Sequence, residues 1–185
     1  MTEDKSPRPR RILIVEDDPG MRHQLSKLLQ PYGDELEVTI AKDAGDALRA
    51  FGIVSRGKTR RAARRKVPGA VSTFDAMVLD LMMPYGEARK SLSDGDHTEL
   101  DTGLRLLSLI RESAGSELLW VAVITARSGL AVAQTIHTLL AGRGKLYLKP
   151  FDTLRFEDDL ITAVDLASRV PPELLQDHAS AGEAL

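Results

Sequence analysis

Short runs of apolar residues alternate along the chain with segments whose apolar residues recur at helical spacing. Consecutive apolar positions are typical of strands buried on both faces of a parallel sheet. Such runs occur at 11–15, 76–79, 118–124 and 145–148. Apolar and polar residues alternate at 36–40, which predicts an edge strand with one wetter face.

A segment with the periodicity of an amphipathic helix follows each predicted strand. Asp18 and Pro19 mark the start of the first helix, because aspartate is a favoured N-cap and proline is favoured at the first helical position. This alternation implies crossover connections and a parallel sheet. The apolar stripes are Met21, Leu25, Leu28 and Leu29; Ala44, Ala47, Leu48 and Phe51; Gly103, Leu106, Leu107 and Ile110; Val132, Ala133, Ile136 and Leu140; and, in a helix from about Leu154 to Arg169, Phe156, Leu160, Ile161 and Val164.

The composition indicates one domain with additions. We expect a flexible leader at 1–10, a domain over 11–170 with inserts at about 55–70 and 85–101, and a tail at 171–185. The first insert is basic, which suits either a solvated surface or a docking patch for phosphate or an acidic partner. The second insert is acidic, but it lacks the further oxygen ligands of a calcium loop.

Composition also limits the kind of protein. The net charge of -2 gives the whole molecule no nucleic-acid signature. The absence of cysteine excludes disulfides and thiolate metal sites. No apolar run approaches membrane-spanning length, and the N-terminus lacks the apolar region of a signal peptide. We therefore expect a cytoplasmic protein without membrane insertion.

Polar side chains follow most of the predicted strands. Glu16 and Asp17 follow the first strand, and Asp80 ends the third. Thr125 and Lys149 end the fourth and fifth. Because the carboxyl ends of parallel strands lie at one edge of the sheet, these side chains should converge there. Asp80 alone would suit a loop or helix cap equally well, so the site rests on the whole set.

The converging groups match the requirements of phosphoryl transfer. Carboxylates that lie together repel one another and need a cation, and hard oxygen ligands with room for water favour Mg2+. A lysine facing Asp80 neutralises it and offers a point charge to a phosphoryl oxygen, while a threonine hydroxyl donates to another. The set predicts a metal-assisted site with a carboxylate nucleophile.

Four segments, in this order, resemble the receiver domain of two-component response regulators. They are Ile-Leu-Ile-Val-Glu-Asp-Asp-Pro, Met-Val-Leu-Asp-Leu-Met-Met-Pro, Val-Ile-Thr-Ala and Leu-Lys-Pro-Phe. The resemblance, closest to stand-alone receivers of the chemotaxis type, implies a flavodoxin-like α/β fold. Such a fold has a doubly wound, five-stranded parallel sheet in the order 2-1-3-4-5 with helices on both faces.

The resemblance also implies roles for the residues at the strand ends. Asp80 would accept a phosphoryl group from a sensor histidine kinase or a histidine phosphotransfer protein. Mg2+ would be bound by Asp17, Asp80 and the backbone carbonyl of Met82, with help from Glu16. The residues that would contact the phosphoryl group are Thr125 and Lys149. Signalling would then proceed through a downstream protein target or a phosphorelay.

Two positions depart from the usual receiver pattern. Receivers usually carry Tyr or Phe three residues before the lysine, where this chain has Leu146, and Tyr147 should face the other side of the strand. We therefore expect the acidic insert or the segment after Thr125 to carry the signal. Met82 stands where receivers help to place the hydrolytic water, and its side chain offers no donor or strong acceptor. This predicts slow self-dephosphorylation.

Several alternatives remain open on the same residues. A receiver-shaped interaction module that acts without phosphorylation agrees with Leu146 but not with the complete strand-end set. A phosphatase of the haloacid type needs a second aspartate where Met82 stands, so no enzyme beyond self-phosphorylation and self-dephosphorylation is expected. Nucleic-acid binding through Arg56 to Lys66 lacks interleaved aromatic residues. The apolar residues of 132–140 suit either a homodimer or the core.

Overall fold

A computed structural model of the chain describes residues 8–53, 74–88, 102–113, 116 and 118–168. The basic insert, most of the acidic insert, most of the leader and the tail lie outside these residues. The domain boundaries predicted above therefore stay predictions.

Parallel strands form one sheet in the order β2-β1-β3-β4-β5. The strands are β1 (Arg10–Val15), β2 (Leu36–Ala41), β3 (Ala76–Asp80), β4 (Trp120–Thr125) and β5 (Gly144–Leu148). Every residue of the central strand β3 is buried, as its unbroken apolar run predicts. At the edge, β2 keeps Leu36 buried, but Ile40 is 49% exposed at the carboxyl end of the strand. The predicted fold class and strand order are confirmed.

Helices cover both faces of the sheet and create two separate cores. They are α1 (Pro19–Leu29), α2 (Ala44–Ala50), α3 (Thr102–Arg111), α4 (Leu130–Leu140) and α5 (Thr153–Ser168). Helices α1 and α5 pack on the face that carries Ile12 and Val78, and α2, α3 and α4 pack on the face that carries Leu13 and Leu79. None of the helices among the described residues combines the length and the apolar character that a membrane-spanning helix needs.

Two element starts show how local hydrogen bonds set the boundaries. The Oδ1 atom of Asp18 accepts a hydrogen bond from the Met21 amide at 2.6 Å, which confirms the predicted N-cap of α1. Strand β4 begins at Trp120, two residues later than predicted. The reason is a turn in which the amide of Leu119 donates to the carbonyl of Ser116 at 3.1 Å.

Arg111, the last residue of α3, ties together several segments at the edge of the sheet where β4 and β5 begin. Its Nη1 donates to the carbonyls of Ser116 and Leu119, both at 2.9 Å. Its Nε donates to the carbonyl of Leu139 at 3.1 Å, and its Nη2 to that of Arg143 at 3.2 Å. One guanidinium thus satisfies backbone acceptors on both sides of α4.

We predict that Arg111→Met destabilises the fold by about 3 kcal/mol, because hydrogen bonds from a charged donor are lost and partly buried carbonyls are left unpaired. Arg111→Lys should recover only part of this loss, since an ammonium lacks the planar fork that reaches separate carbonyls. Urea unfolding measures both. A methionine variant with the midpoint of the wild type would contradict the assignment.

Candidate functional site

Three carboxylates and one ammonium meet at the carboxyl edge of the sheet. Glu16 and Asp17 follow β1, Asp80 ends β3, and one carboxylate oxygen from each lies within 4.8 Å of the others. The Nζ atom of Lys149, which follows β5, lies 2.8 Å from Oδ2 of Asp80 and 3.2 Å from Oε2 of Glu16. Residues from opposite parts of the chain are therefore in direct contact, as the strand-end pattern predicts.

The carboxylates differ in their surroundings. Glu16 and Asp80 are 1% and 5% exposed, whereas Asp17 is exposed. Oδ1 of Asp80 accepts from the Met82 amide at 3.0 Å, and Oε1 of Glu16 accepts from the Asp18 amide at 3.2 Å. The site therefore has two buried carboxylates, Glu16 and Asp80, and one carboxylate, Asp17, that is open to solvent.

The electrostatics of this site favour a bound cation. Burial and then the charge of Asp80 raise the pKa of Glu16 to about 7, against the opposing effects of the Asp18 amide and Lys149. Burial alone would lower the pKa of Lys149, but the hydrogen bond and charge of Asp80, together with Glu16, raise it overall. Lys149 therefore stays charged, and one ammonium does not compensate all three carboxylates. This all-oxygen set fits Mg2+.

Thr125 occupies the neighbouring strand end. It is fully buried, and its backbone carbonyl accepts a hydrogen bond from the Lys149 amide at 2.9 Å. Its Oγ1 accepts from the Arg127 amide at 3.0 Å. Among the described residues, no hydrogen bond joins this hydroxyl to the carboxylates. The structure thus places Thr125 beside the cluster without direct contact.

The chain just after Asp80 packs closely against the start of α3. Gly103 at the start of α3 donates its amide to the Leu81 carbonyl at 3.1 Å. A Cβ atom on Gly103 would lie 2.4 Å from the Leu81 Cα and 2.8 Å from the Asp80 carbonyl oxygen, so no side chain fits there. The sequence pattern places Gly103 on the stripe of α3 but gives no sign of this close approach.

The first residues of the acidic insert pack against α2. The Pro84 carbonyl accepts from the Ala44 amide at 3.3 Å, and Glu87 lies 2.6 Å from Nη1 of Arg49. Gly86 has a φ of 55°, which favours glycine, and a Cβ atom there would lie 2.3 Å from the Asp43 carboxyl carbon. The segment from Pro84 to Glu87 therefore packs on α2, shortly before the part of the chain that the structure does not describe.

Strand β5 confirms that Leu146 and Tyr147 face opposite sides of the sheet. Leu146 packs against the core beneath α2, α3 and α4. Tyr147 lies in the other core, beside Phe156 with ring centroids 5.1 Å apart, and its hydroxyl donates to Oδ2 of Asp159 at 2.7 Å. The aromatic ring is therefore on the α5 side, away from the face that Leu146 occupies.

An apolar groove of about 450 Å³ lies beside the acidic cluster, between α1 and the connection from β5 to α5. Lys149 is part of its wall. The groove is thus continuous with the residues that surround Asp80. Its apolar lining consists of Met21, Leu25, Leu28, Pro150 and Phe151.

Sequence reasoning missed one side chain at the site. Nη1 of Arg22, in the first turn of α1, donates to the carbonyls of Glu16 at 2.9 Å and Asp17 at 2.6 Å. An arginine four residues after the N-cap Asp18 was the available signal, because that spacing returns a long side chain toward the start of the helix.

No protein-family model and no curated protein matches the chain, but solved structures do. The signal receiver domain of a DNA-binding response regulator from Colwellia psychrerythraea 34H has a TM-score of 0.58 and 19% identity, over 84% of this chain and 98% of its own. Chemotaxis protein CheY4 of Vibrio cholerae has a TM-score of 0.56 and 20% identity, over 84% and 98%. A CheY-like receiver domain protein from Methanospirillum hungatei JF-1 has a TM-score of 0.55 and 19% identity, over 87% and 98%. The chain has the fold of response regulator receiver domains.

Proposed function

We propose that this chain is a phosphoreceiver in which Asp80 accepts a phosphoryl group from a phosphorylated histidine. The observation that carries the proposal is the contact of Lys149 Nζ with Asp80 Oδ2, at 2.8 Å, beside the carboxylates of Glu16 and Asp17. Transfer would break the bond between phosphorus and the imidazole nitrogen and form one between phosphorus and a carboxylate oxygen of Asp80. The nitrogen keeps the electron pair of the broken bond.

The residues around Asp80 have roles that suit this transfer. Asp17, Asp80 and the Met82 carbonyl would hold Mg2+, with Glu16 nearby, and the ion would neutralise charge on the phosphoryl oxygens. Lys149 supplies a fixed positive charge beside the accepting carboxylate, and Thr125 supplies a hydroxyl donor at the next strand end. The Met82 amide, 3.0 Å from Oδ1 of Asp80, orients the carboxylate.

The donor is a sensor histidine kinase or a histidine phosphotransfer protein. A protein that brings its histidine to Asp80 must also cover the surface next to Lys149, where the apolar groove lies. Helix residues Met21, Leu25 and Leu28 on one wall suit an apolar helix of that partner. The phosphorylated chain would then act in the cytoplasm on a downstream protein target or pass the phosphoryl group on.

A second candidate function is a receiver-shaped interaction module that works without phosphorylation. The observation in its favour is Leu146, an aliphatic side chain at the position where receivers usually carry Tyr or Phe. The two functions differ in whether Asp80 is ever modified.

We predict that incubation with Mg2+ and acetyl phosphate adds one phosphoryl group, seen by intact mass as an acid-stable, base-labile gain. Asp80→Asn should abolish the gain because it removes the nucleophile, and Mg2+ removal should strongly reduce it. Asp34→Asn, the same substitution at an exposed carboxylate, serves as the control. If the wild type gains no mass while a known receiver does, the interaction module is the better function.

Self-dephosphorylation should be slow, because the Met82 side chain cannot orient water for attack on the phosphoryl group. We predict that Met82→Asn speeds the loss roughly tenfold, as about 1.4 kcal/mol from one added hydrogen bond would allow. Met82→Leu, which adds no polar atom, should decay at the wild-type rate. An asparagine variant as slow as the leucine variant would refute the role of this position.

Binding of a phosphoryl mimic such as beryllofluoride should change amide chemical shifts mainly in residues 83–88 and in the segment after Thr125. The reason is that Leu146 has no ring to reorient, whereas residues 83–88 follow Asp80 in the chain and contact α2 through Pro84 and Glu87. Nuclear magnetic resonance spectra with and without the mimic measure this. Shifts confined to β5 would contradict it.

A further inference from the structure

Arg22 makes its contacts with the backbone of the turn between β1 and α1, not with the acidic side chains. Its Nη1 lies 2.9 Å from the Glu16 carbonyl oxygen and 2.6 Å from that of Asp17. Within the described residues, Arg22 has no ion pair with a carboxylate. The guanidinium therefore adds positive charge near the site without occupying the carboxylate oxygens.

Other backbone groups of this turn also form hydrogen bonds. The Glu16 amide donates to the Ala41 carbonyl at 3.1 Å, and the Asp18 amide donates to Oε1 of Glu16 at 3.2 Å. The Asp18 carbonyl accepts from the Arg22 amide at 3.0 Å. The side chain of Arg22 supplies the hydrogen-bond partner of the Glu16 and Asp17 carbonyls, so hydrogen bonds connect this turn both to β2 and to α1.

The positive charge of Arg22 lies in the first turn of α1, where it would destabilise an isolated helix. The first turn of a helix carries a partial positive charge, so anionic side chains are preferred there and cationic ones are not. An arginine at this place needs a compensating interaction, and the nearby acidic cluster with two backbone carbonyls provides it.

We propose that Arg22 is a positioning residue for Mg2+: by holding the Glu16 and Asp17 carbonyls, it keeps both carboxylates where the ion binds. This rests on the proposed function, because the ion is the one that assists phosphorylation of Asp80. Groups that orient metal ligands from outside the coordination sphere typically change metal affinity by about 10- to 100-fold when they are removed. We therefore expect Mg2+ binding to weaken about tenfold without Arg22.

The test is a titration of the 15N-labelled protein with MgCl2, followed by nuclear magnetic resonance at the amides of Asp18 and Met82, which donate to the carboxylates of the site. Arg22→Met should raise the Kd about tenfold, while amides remote from the site keep their positions. Loss of a positive charge alone would strengthen Mg2+ binding, so weaker binding separates positioning from simple electrostatics. Arg22→Lys retains a cationic donor and should recover part of the affinity.

Lys27→Met is the matched control, since it removes one positive charge from the exposed end of the same helix and should not weaken binding. Should Arg22→Met not give a folded spectrum, Arg22→Gln carries the same expectation of a higher Kd. A Kd in the Arg22 variants equal to or lower than that of the wild type would overturn the proposal while leaving phosphorylation of Asp80 intact. If Mg2+ shifts no amide at the site in the wild type, the proposed function fails as well.

Discussion

Repulsion between carboxylates at one edge of a parallel sheet is the constraint on which this structure depends. Like charges about 4 Å apart repel by roughly 4 kcal/mol at the effective dielectric typical near a protein surface. Here Glu16, Asp17 and Asp80 bring oxygens within 4.8 Å of one another, and Lys149 offsets part of that repulsion. The fold must therefore hold these groups together against their own electrostatic repulsion.

The sheet holds these groups in place by burying its central strands on both faces. β3 is fully buried and ends in Asp80, so its position is set by two separate cores. The parallel register then aligns Asp80 with Ile124 and brings Thr125 and Leu148 together, one residue before Lys149. Polar residues that directly follow such strands come together because the strands are parallel and in register. Packing on the two faces of the sheet therefore determines the geometry of the site.

Much of this arrangement could be predicted from the sequence because it depends on periodicity. Apolar runs and amphipathic stripes identify strands and helices, and the strand ends then identify the cluster around Asp80. Sequence reasoning missed the bonds of Arg22 to two carbonyls, although its spacing from Asp18 was a signal for them. It also missed the bond of Pro84 to α2, because a contact between two peptide groups leaves no pattern in the sequence. The start of β4 was also misplaced, since the turn bond from Leu119 to Ser116 competes locally with an equally apolar strand continuation.

The close approach of Gly103 to Leu81 has a consequence for how this domain accommodates extra sequence. At one end of the acidic insert, Pro84 and Glu87 anchor the chain on α2, and at the other end the backbone of α3 is in contact with the end of β3. With both attachment points set by packing, residues added or removed between them need not displace Asp80, because longer connections add only slowly to the entropy of closure. The length of the connection between these two attachment points can therefore change while the acidic cluster around Asp80 keeps its geometry.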